Sequence, residues 1–274
     1  MKLNRIRLGG TRLEVSRLCF GTEPFAIKKG PDGAKSQGDL TPEEGGGVLR
    51  DALALGVNFW DTSDDYGTHP HVRVGLGLVD RRDVVITDKS NALTYQEGRE
   101  AIALSKTSLD TDYVDLILLH NVPPRTVRRR DSTGRPYVSG SLTDRMGALR
   151  AFHDARENGE VRATGLSTHS TLVLREALDV PEVEVVCTTL NMAGALIDDG
   201  TLDEHLEAIR ALKEAGKGVY VIKLLYGGRL REEGDTAIKY ALQYHEHVDA
   251  WNIGMYNTSE VEHNITLLEE ALGS

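Results

Sequence analysis

Asp61, Tyr66, Lys89 and His120 are of residue types that together can move a proton onto or off a substrate oxygen. A tyrosine with an ordinary pKa near 10 is a poor acid or base at neutral pH unless a neighbouring cation stabilises its phenolate. Lys89 is the candidate cation, Asp61 the carboxylate that holds and orients its ammonium, and His120 the group that hydrogen-bonds a carbonyl oxygen and polarises it. Lowering a tyrosine pKa by two or three units corresponds to roughly 3 to 4 kcal/mol, within reach of one desolvated charge partner. Alone, each residue reads as well as a turn carboxylate, a loop aromatic, a solvated charge or a satisfied core histidine. Their conjunction at the ends of successive strands carries the meaning.

Short apolar, β-branched runs at 17–21, 57–61, 83–88, 114–119, 161–166, 183–189, 218–223 and 248–253 read as strands. Amphipathic stretches at 41–55, 69–80, 95–110, 143–159, 170–179, 201–216, 235–246 and 258–272 read as helices between them. Eight such units suit an open doubly wound sheet or a closed (β/α)8 TIM barrel. The length of 274 residues, two short alternating segments around Gly9-Gly10 and the lack of a GxGxxG after the first strand favour the barrel. The expected architecture is therefore one α/β barrel domain over 1–274, with an N-terminal β-hairpin over 1–16 before the first barrel strand. In a barrel the C-terminal strand ends converge on one mouth, where the four polar residues would meet.

Thr41-Pro42-Glu43-Glu44 and Thr258-Ser259-Glu260 offer helix starts, whereas the glycines at 45 to 47 weaken the first helix by about 1 kcal/mol each relative to alanine. Two connections, 22–40 and 121–142, are longer than usual and would lie on the catalytic face.

The formal charge of −10 argues against a nucleic-acid or anionic-membrane partner. No run of about 18 apolar residues is present to span a membrane, and the start of the chain lacks a secretion signal, so a cytoplasmic location is expected. Cys19 and Cys187 each lie in an apolar strand and read as small core residues, not as a disulfide or a thiolate metal site. His69 and His71 are close together in a loop without an evident third ligand, so no metal is expected.

The runs Leu18-Cys19-Phe20-Gly21-Thr22, Phe59-Trp60-Asp61-Thr62-Ser63-Asp64-Asp65-Tyr66-Gly67, Val84-Val85-Ile86-Thr87-Asp88-Lys89 and Asp115-Leu116-Ile117-Leu118-Leu119-His120 together resemble the aldo-keto reductases. The resemblance covers nearly the whole chain, including the hairpin that caps the barrel bottom in that family. It implies a catalytic tetrad of Tyr66 as general acid, Lys89 and Asp61 as its tuning pair, and His120 orienting the carbonyl. It also implies a nicotinamide cofactor, NADP(H) or NAD(H), extended across the barrel mouth. Gly21, Thr22 and Asp61 match the family there, as do Ser167 and Thr168 after the fifth strand and Asn191 after the sixth. The loop from Lys223 through Leu225 to Gly227 and Gly228 resembles the pyrophosphate cover, and Gly254 to Asn264, with Tyr256 and Glu260, the adenosine-binding segment.

The sequence departs from the family where a basic residue often holds the 2′-phosphate of NADP, since Tyr256 and Glu260 stand there. A carboxylate repels that phosphate but can accept from a ribose hydroxyl. Cys187 replaces a glutamine that often holds the carboxamide, and Ile222 an aromatic that often stacks on the ring. The expected function is reversible reduction of an aldehyde, ketone or sugar-like carbonyl, its partner a small-molecule carbonyl or alcohol. The competing expectation is a nicotinamide-binding sensor or interaction subunit with little turnover, as in channel-associated relatives of the fold.

Overall fold

The computed structural model describes residues 4–29, 35–130 and 136–273. Eight strands, Leu18–Gly21, Phe59–Asp61, Val85–Ser90, Val114–Leu119, Val161–Thr168, Val185–Thr189, Gly218–Ile222 and Ala250–Gly254, each pair in parallel with the next. The eighth returns to the first through pairs running from Trp251–Leu18 to Gly254–Gly21, which closes the barrel. Helices Pro42–Ala54, His69–Gly77, Tyr95–Leu109, Leu142–Glu157, Thr171–Leu178, Leu202–Glu214, Gly234–Leu242 and Thr258–Leu272 follow the strands in order. Every expected strand and helix is present, with ends shifted by a few residues. Among the described residues no helix is long and apolar enough to cross a membrane.

A period of two along each strand sorts side chains between two apolar layers. Phe59, Leu116, Leu118, Val185, Cys187 and Tyr220 belong to the barrel interior. Trp60, Ile117, Leu119, Val186, Val219 and Val221 belong to the layer under the helices. Extending the inward parity past the last apolar residue of the second, third and fourth strands gives Asp61, Lys89 and His120. The alternation that fills the barrel therefore also delivers these three side chains to its mouth.

The hairpin pairs Arg5–Arg7 with Glu14–Ser16, and its Leu8, Leu13 and Val15 complete the interior cluster from the opposite end. Its turn requires glycine at 9: φ is +53°, and a Cβ there would lie 2.1 Å from the Gly218 backbone nitrogen. Gly9→Ala is expected to cost about 2 to 3 kcal/mol and lower Tm by roughly 5 to 10 °C in a thermal melt, because the plug has to lift off the barrel to admit the methyl. An unchanged Tm would show that the hairpin is not seated on the seventh strand.

The helix Pro42–Ala54 forms despite its three glycines. The Thr41 side chain accepts from Glu44 N at 3.2 Å while Glu44 Oε2 accepts from Thr41 N at 2.8 Å, closing a capping box. Two of the glycines serve packing: a Cβ at Gly45 would lie 2.8 Å from His71 Cδ2, and one at Gly46 2.5 Å from Val74 Cγ1. Tertiary contact with the helix His69–Gly77 thus outweighs the lost propensity. The long connections also carry structure. Residues 22–40 hold a short helix, Glu23–Ala26, and an antiparallel ribbon of Ile27–Lys29 with Lys35–Gln37, while 121–142 hold a ribbon of Val127–Arg130 with Pro136–Ser139.

Candidate active site

Asp61 and Lys89 form a buried ion pair, with Lys89 Nζ 2.5 Å from Asp61 Oδ1. The ammonium also donates to Thr62 O at 2.9 Å, and Tyr220 OH donates to Asp61 Oδ2 at 2.8 Å. Burial by itself pushes the Lys89 ammonium down, but the carboxylate of Asp61 outweighs it and the lysine is held above its ordinary value. The Tyr66 ring lies against this pair, its centroid 4.9 Å from Lys89 Nζ. The lysine thus meets the face of the ring, a cation–π contact. Burial, followed by the charge of Asp61, raises Tyr66 well above ten. This corrects the expectation that Lys89 lowers the tyrosine: Asp61 neutralises much of the lysine's field, so the protein alone holds Tyr66 as a neutral phenol.

The segment from Asp61 to Tyr66 is pinned to its neighbours. Thr62 N donates to Thr87 O at 2.9 Å and Asp64 N to Lys89 O at 3.1 Å, continuing the ladder to the third strand. Thr68 Oγ1 lies 2.8 Å from Thr62 Oγ1 and 2.9 Å from Thr22 Oγ1, and Thr22 Oγ1 donates to Asp61 O at 2.8 Å. His120 packs edge-on to Tyr66, ring centroids 5.6 Å apart. Its Nδ1 is 3.0 Å from Ser63 Oγ and 3.4 Å from Asp65 Oδ1. Behind it, the fully buried Arg145 guanidinium donates to His120 O at 2.7 Å, Ser90 O at 2.6 Å and Ala92 O at 2.9 Å, fixing the ends of the third and fourth strands. Burial, partly opposed by Asp65, pushes His120 down to about 4, so the ring is neutral at physiological pH.

From this cluster a groove of about 340 Å3 runs across the mouth, lined at one end by Asp61 and Tyr66 and at the other by Tyr256 and Glu260. Of the residues assigned to cofactor binding, Gly21, Lys223, Leu225, Gly227, Gly228 and Gly254 also line it. Gly21 must lack a side chain, since a Cβ would stand 2.4 Å from Asn252 Oδ1. Lys223 Nζ lies 3.5 Å from Glu23 Oε2, and Gly227 and Gly228 follow with φ of +64° and +98°.

Thr22, Ser167, Thr168, Asn191 and Asn264 are absent from the groove lining. Thr22 is tied beneath the Asp61 loop as described. Ser167 Oγ accepts from Asn121 N at 2.8 Å, Thr168 Oγ1 donates to Val122 O at 2.7 Å, and the Asn191 amide closes a turn on Ala195 at 2.8 and 3.0 Å. Asn264 is buried in the last helix. Ile222 lines the groove, whereas Cys187 lies in the barrel interior, its thiol pushed up to about 12 by burial and Asp61. His69 and His71 stand in the first turn of a helix, not a loop. His69 Nε2 pairs with Asp88 at 3.1 Å, and His71 Nε2 lies 3.0 Å from Leu40 O.

Sequence reasoning missed Tyr220, Asn252, Lys28 and Arg231. Tyr220 has a readable signal, because it falls on the inward parity of the seventh strand. Lys28 and Arg231 have none, since they reach the groove from the connections that follow the first and seventh strands, Lys28 from the ribbon Ile27–Lys29. Lys28 lies 4.5 Å from the Tyr256 ring centroid and 2.7 Å from Asp39, whose carboxylate also accepts from Tyr256 OH. Glu260 Oε2 accepts from Tyr256 N at 2.8 Å, and burial raises its carboxyl while Arg231 opposes that rise.

A closed eight-stranded barrel whose mouth gathers a buried ion pair, a tyrosine and a histidine beside a long groove defines a barrel enzyme with its chemistry on the C-terminal face. The chain belongs to the aldo-keto reductases: the sequence pattern of the Aldo/keto reductase family matches residues 17–271. That family consists of oxidoreductases acting on carbonyls, generally with nicotinamide cofactors. Among curated relatives, L-galactose dehydrogenase of Arabidopsis thaliana is 26% identical over 98% of this chain and 89% of its own. NADH-specific methylglyoxal reductase of Escherichia coli is 24% identical over 67% of this chain and 58% of its own. The fold matches a putative aldo-keto reductase from Pseudomonas aeruginosa with a TM-score of 0.74 at 21% identity, covering 98% of this chain and 95% of that one. It also matches the holo form of a Bacillus halodurans aldo-keto reductase with a TM-score of 0.73 at 20% identity, covering 97% and 91%.

Proposed function

We propose that this protein is a cytoplasmic oxidoreductase, one barrel domain over 1–274, that transfers hydride between NAD(H) and a small carbonyl or its alcohol. The observation that carries the reading is the single groove joining Asp61 and Tyr66 to Tyr256 and Glu260. A nicotinamide dinucleotide supplies the hydride when bound. The residues present fit such a group: Lys223 and the turn at Gly227-Gly228 suit a diphosphate, and Gly21 and Gly254 leave room beside the strand ends. Tyr66 donates its proton to the oxygen of the carbonyl being reduced, Lys89 and Asp61 set the electrostatics around the phenol, and His120 orients that oxygen. Sugar-like substrates fit the name of L-galactose dehydrogenase.

NAD(H) is favoured over NADP(H) by charge at the far end of the groove. Lys28 is paired with Asp39 and Arg231 faces Glu260, so both cations there already have a carboxylate neighbour. Among the described side chains a 2′-phosphate therefore meets no unpaired positive charge there, whereas Glu260 can accept from a ribose hydroxyl. A fluorescence titration is expected to give NADH a Kd at least about tenfold below that of NADPH, corresponding to roughly 1.4 kcal/mol. A preference for NADPH of that size refutes the cofactor assignment. Turnover with L-galactose, methylglyoxal and a wider carbonyl and alcohol panel tests the activity. A sensor with incidental reduction is the alternative, and it is the reading that survives if Tyr66→Phe leaves turnover unchanged at saturating cofactor.

A further inference from the structure

The Asp61 carboxylate is held from two sides. Lys89 Nζ lies 2.5 Å from Oδ1, and Tyr220 OH lies 2.8 Å from Oδ2. Tyr220 reaches Asp61 through the barrel interior from the seventh strand, and it is fully buried. Its register neighbours, Cys187 on the sixth strand and Ala250 on the eighth, are small, and its ring meets Phe59 with centroids 5.3 Å apart. The interior thus has room for a ring long enough to bring its hydroxyl to the second strand. Burial, followed by the charge of Asp61, holds Tyr220 well above its ordinary value, so it is a neutral phenol. A carboxylate only accepts, so the phenol is the donor. The other oxygen of the same carboxylate holds the cation beneath Tyr66. Two protons of the Lys89 ammonium go to Asp61 Oδ1 and Thr62 O, and Nζ faces the Tyr66 ring 4.9 Å from its centroid.

We propose that Tyr220 is a positioning residue: its hydroxyl keeps Asp61 to a one-oxygen contact with Lys89, leaving more of the lysine's field for the phenolate that develops on Tyr66. This rests on the reading of the mouth as a hydride-transfer site. When Tyr66 gives its proton to the carbonyl oxygen, negative charge builds on the phenol; Lys89 stabilises that charge and Asp61 opposes it. The Tyr220 hydroxyl acts on this balance in two ways. A hydrogen bond to an ionised acceptor is strong, and it draws carboxylate charge toward Oδ2, away from the ammonium. It also ties Oδ2 to the seventh strand, so the carboxylate does not turn both oxygens onto Nζ. Without the hydroxyl, Oδ2 is a buried acceptor that has lost its phenolic donor, and the nearby ammonium is the partner it turns to. The phenolate then loses part of its counter-charge. Reduction and oxidation slow together, because a catalyst leaves the equilibrium between them unchanged.

The test is Tyr220→Phe in the full-length protein, read by the single-turnover rate of NADH oxidation with the best carbonyl of the panel. That rate is expected to fall about tenfold, less than the 10²- to 10³-fold lost with a donor that touches the developing charge itself. The NADH Kd and the carbonyl KM should stay within about twofold of wild type, since the groove keeps its shape. Phe59→Leu disturbs the packing of the Tyr220 ring and spares its hydroxyl, so it should lower Tm and leave the transfer rate within about twofold of wild type. An unchanged rate in Tyr220→Phe, an equal loss in Phe59→Leu, or a rate that falls in step with NADH affinity overturns the proposal. Melting supplies a readout that needs no turnover. In the background Lys89→Met with Asp61→Asn the hydroxyl faces a neutral amide, so Tyr220→Phe should lower Tm by about half as much as it does in wild type. Equal losses in the two backgrounds overturn the proposal alone. A wild type inactive across the whole panel overturns the hydride-transfer reading, and the part given to Tyr220 falls with it.

Discussion

Replacing Tyr66 by phenylalanine lowers kcat for the best carbonyl substrate by about a thousandfold, within the 10²- to 10⁴-fold typical of a positioned acid, and leaves the Kd for NADH unchanged. The expectation rests on what the substitution keeps. The ring against Lys89 Nζ and the edge-on contact with His120 survive, so the groove retains its shape and only the phenolic proton is lost. Because burial and Asp61 hold Tyr66 well above its ordinary value, the wild-type donor form persists through the neutral range. Reduction should accordingly show no alkaline limb from this group below about pH 10. A kcat that falls while NADH affinity falls in proportion would mean that the tyrosine's part is in binding. Steady-state kinetics paired with a fluorescence titration separate the two.

Lys89→Met is expected to abolish measurable turnover and to destabilise the protein by about 3 to 5 kcal/mol, the cost of stranding one partner of a buried ion pair. Both members of the pair are almost fully buried, at 1% and 2% exposure. With the ammonium gone, the hydroxyl of Tyr220 is left as the hydrogen-bond partner of the Asp61 carboxylate within this cluster. Tm should drop by roughly 10 °C or more. The double substitution Lys89→Met with Asp61→Asn removes the stranded charge, so it should recover much of the stability and none of the activity. If the double variant melts no higher than the single one, the two residues are not coupled and the ion pair is not what the lysine contributes.

The eight strand-and-helix units were legible, but they suited an open doubly wound sheet as well as a barrel; length, the two segments around Gly9-Gly10 and the lack of a GxGxxG after the first strand favoured the barrel. Asp61, Lys89 and His120 were legible because they stand at or just past strand ends, and Tyr66 because it follows Asp61 by five residues in the loop. Other features were not legible, for identifiable reasons. The helix at 41–55 was expected, but not why it tolerates the glycines at 45 to 47, since propensity does not record that a neighbouring helix needs the room. Ser167, Thr168 and Asn191 make hydrogen bonds to Asn121, Val122 and Ala195, which reach them from loops and were not legible in the sequence. Lys28 and Arg231 went unnoticed because no periodicity governs a loop's approach to a groove formed by distant strands. The tips at 30–34 and 131–135, parts of the two long connections, lie outside the described residues.

The sequence by itself determined which elements form, which side chains face the barrel interior, and that Asp61, Lys89 and His120 arrive together with Tyr66 at one mouth. For the strand residues these are consequences of alternation, a short-range property that each strand carries alone, while Tyr66 is carried by the loop that follows Asp61. Only the tertiary structure decided the protonation of the tyrosine and the partners of the histidine. It set Lys89 against the tyrosine's face with Asp61 neutralising it, brought Tyr220 onto Asp61 from the seventh strand, and placed Ser63 and Asp65 against His120 Nδ1. Proton affinities depend on desolvation and on charges a few ångströms away, and those distances exist only once the strands have closed.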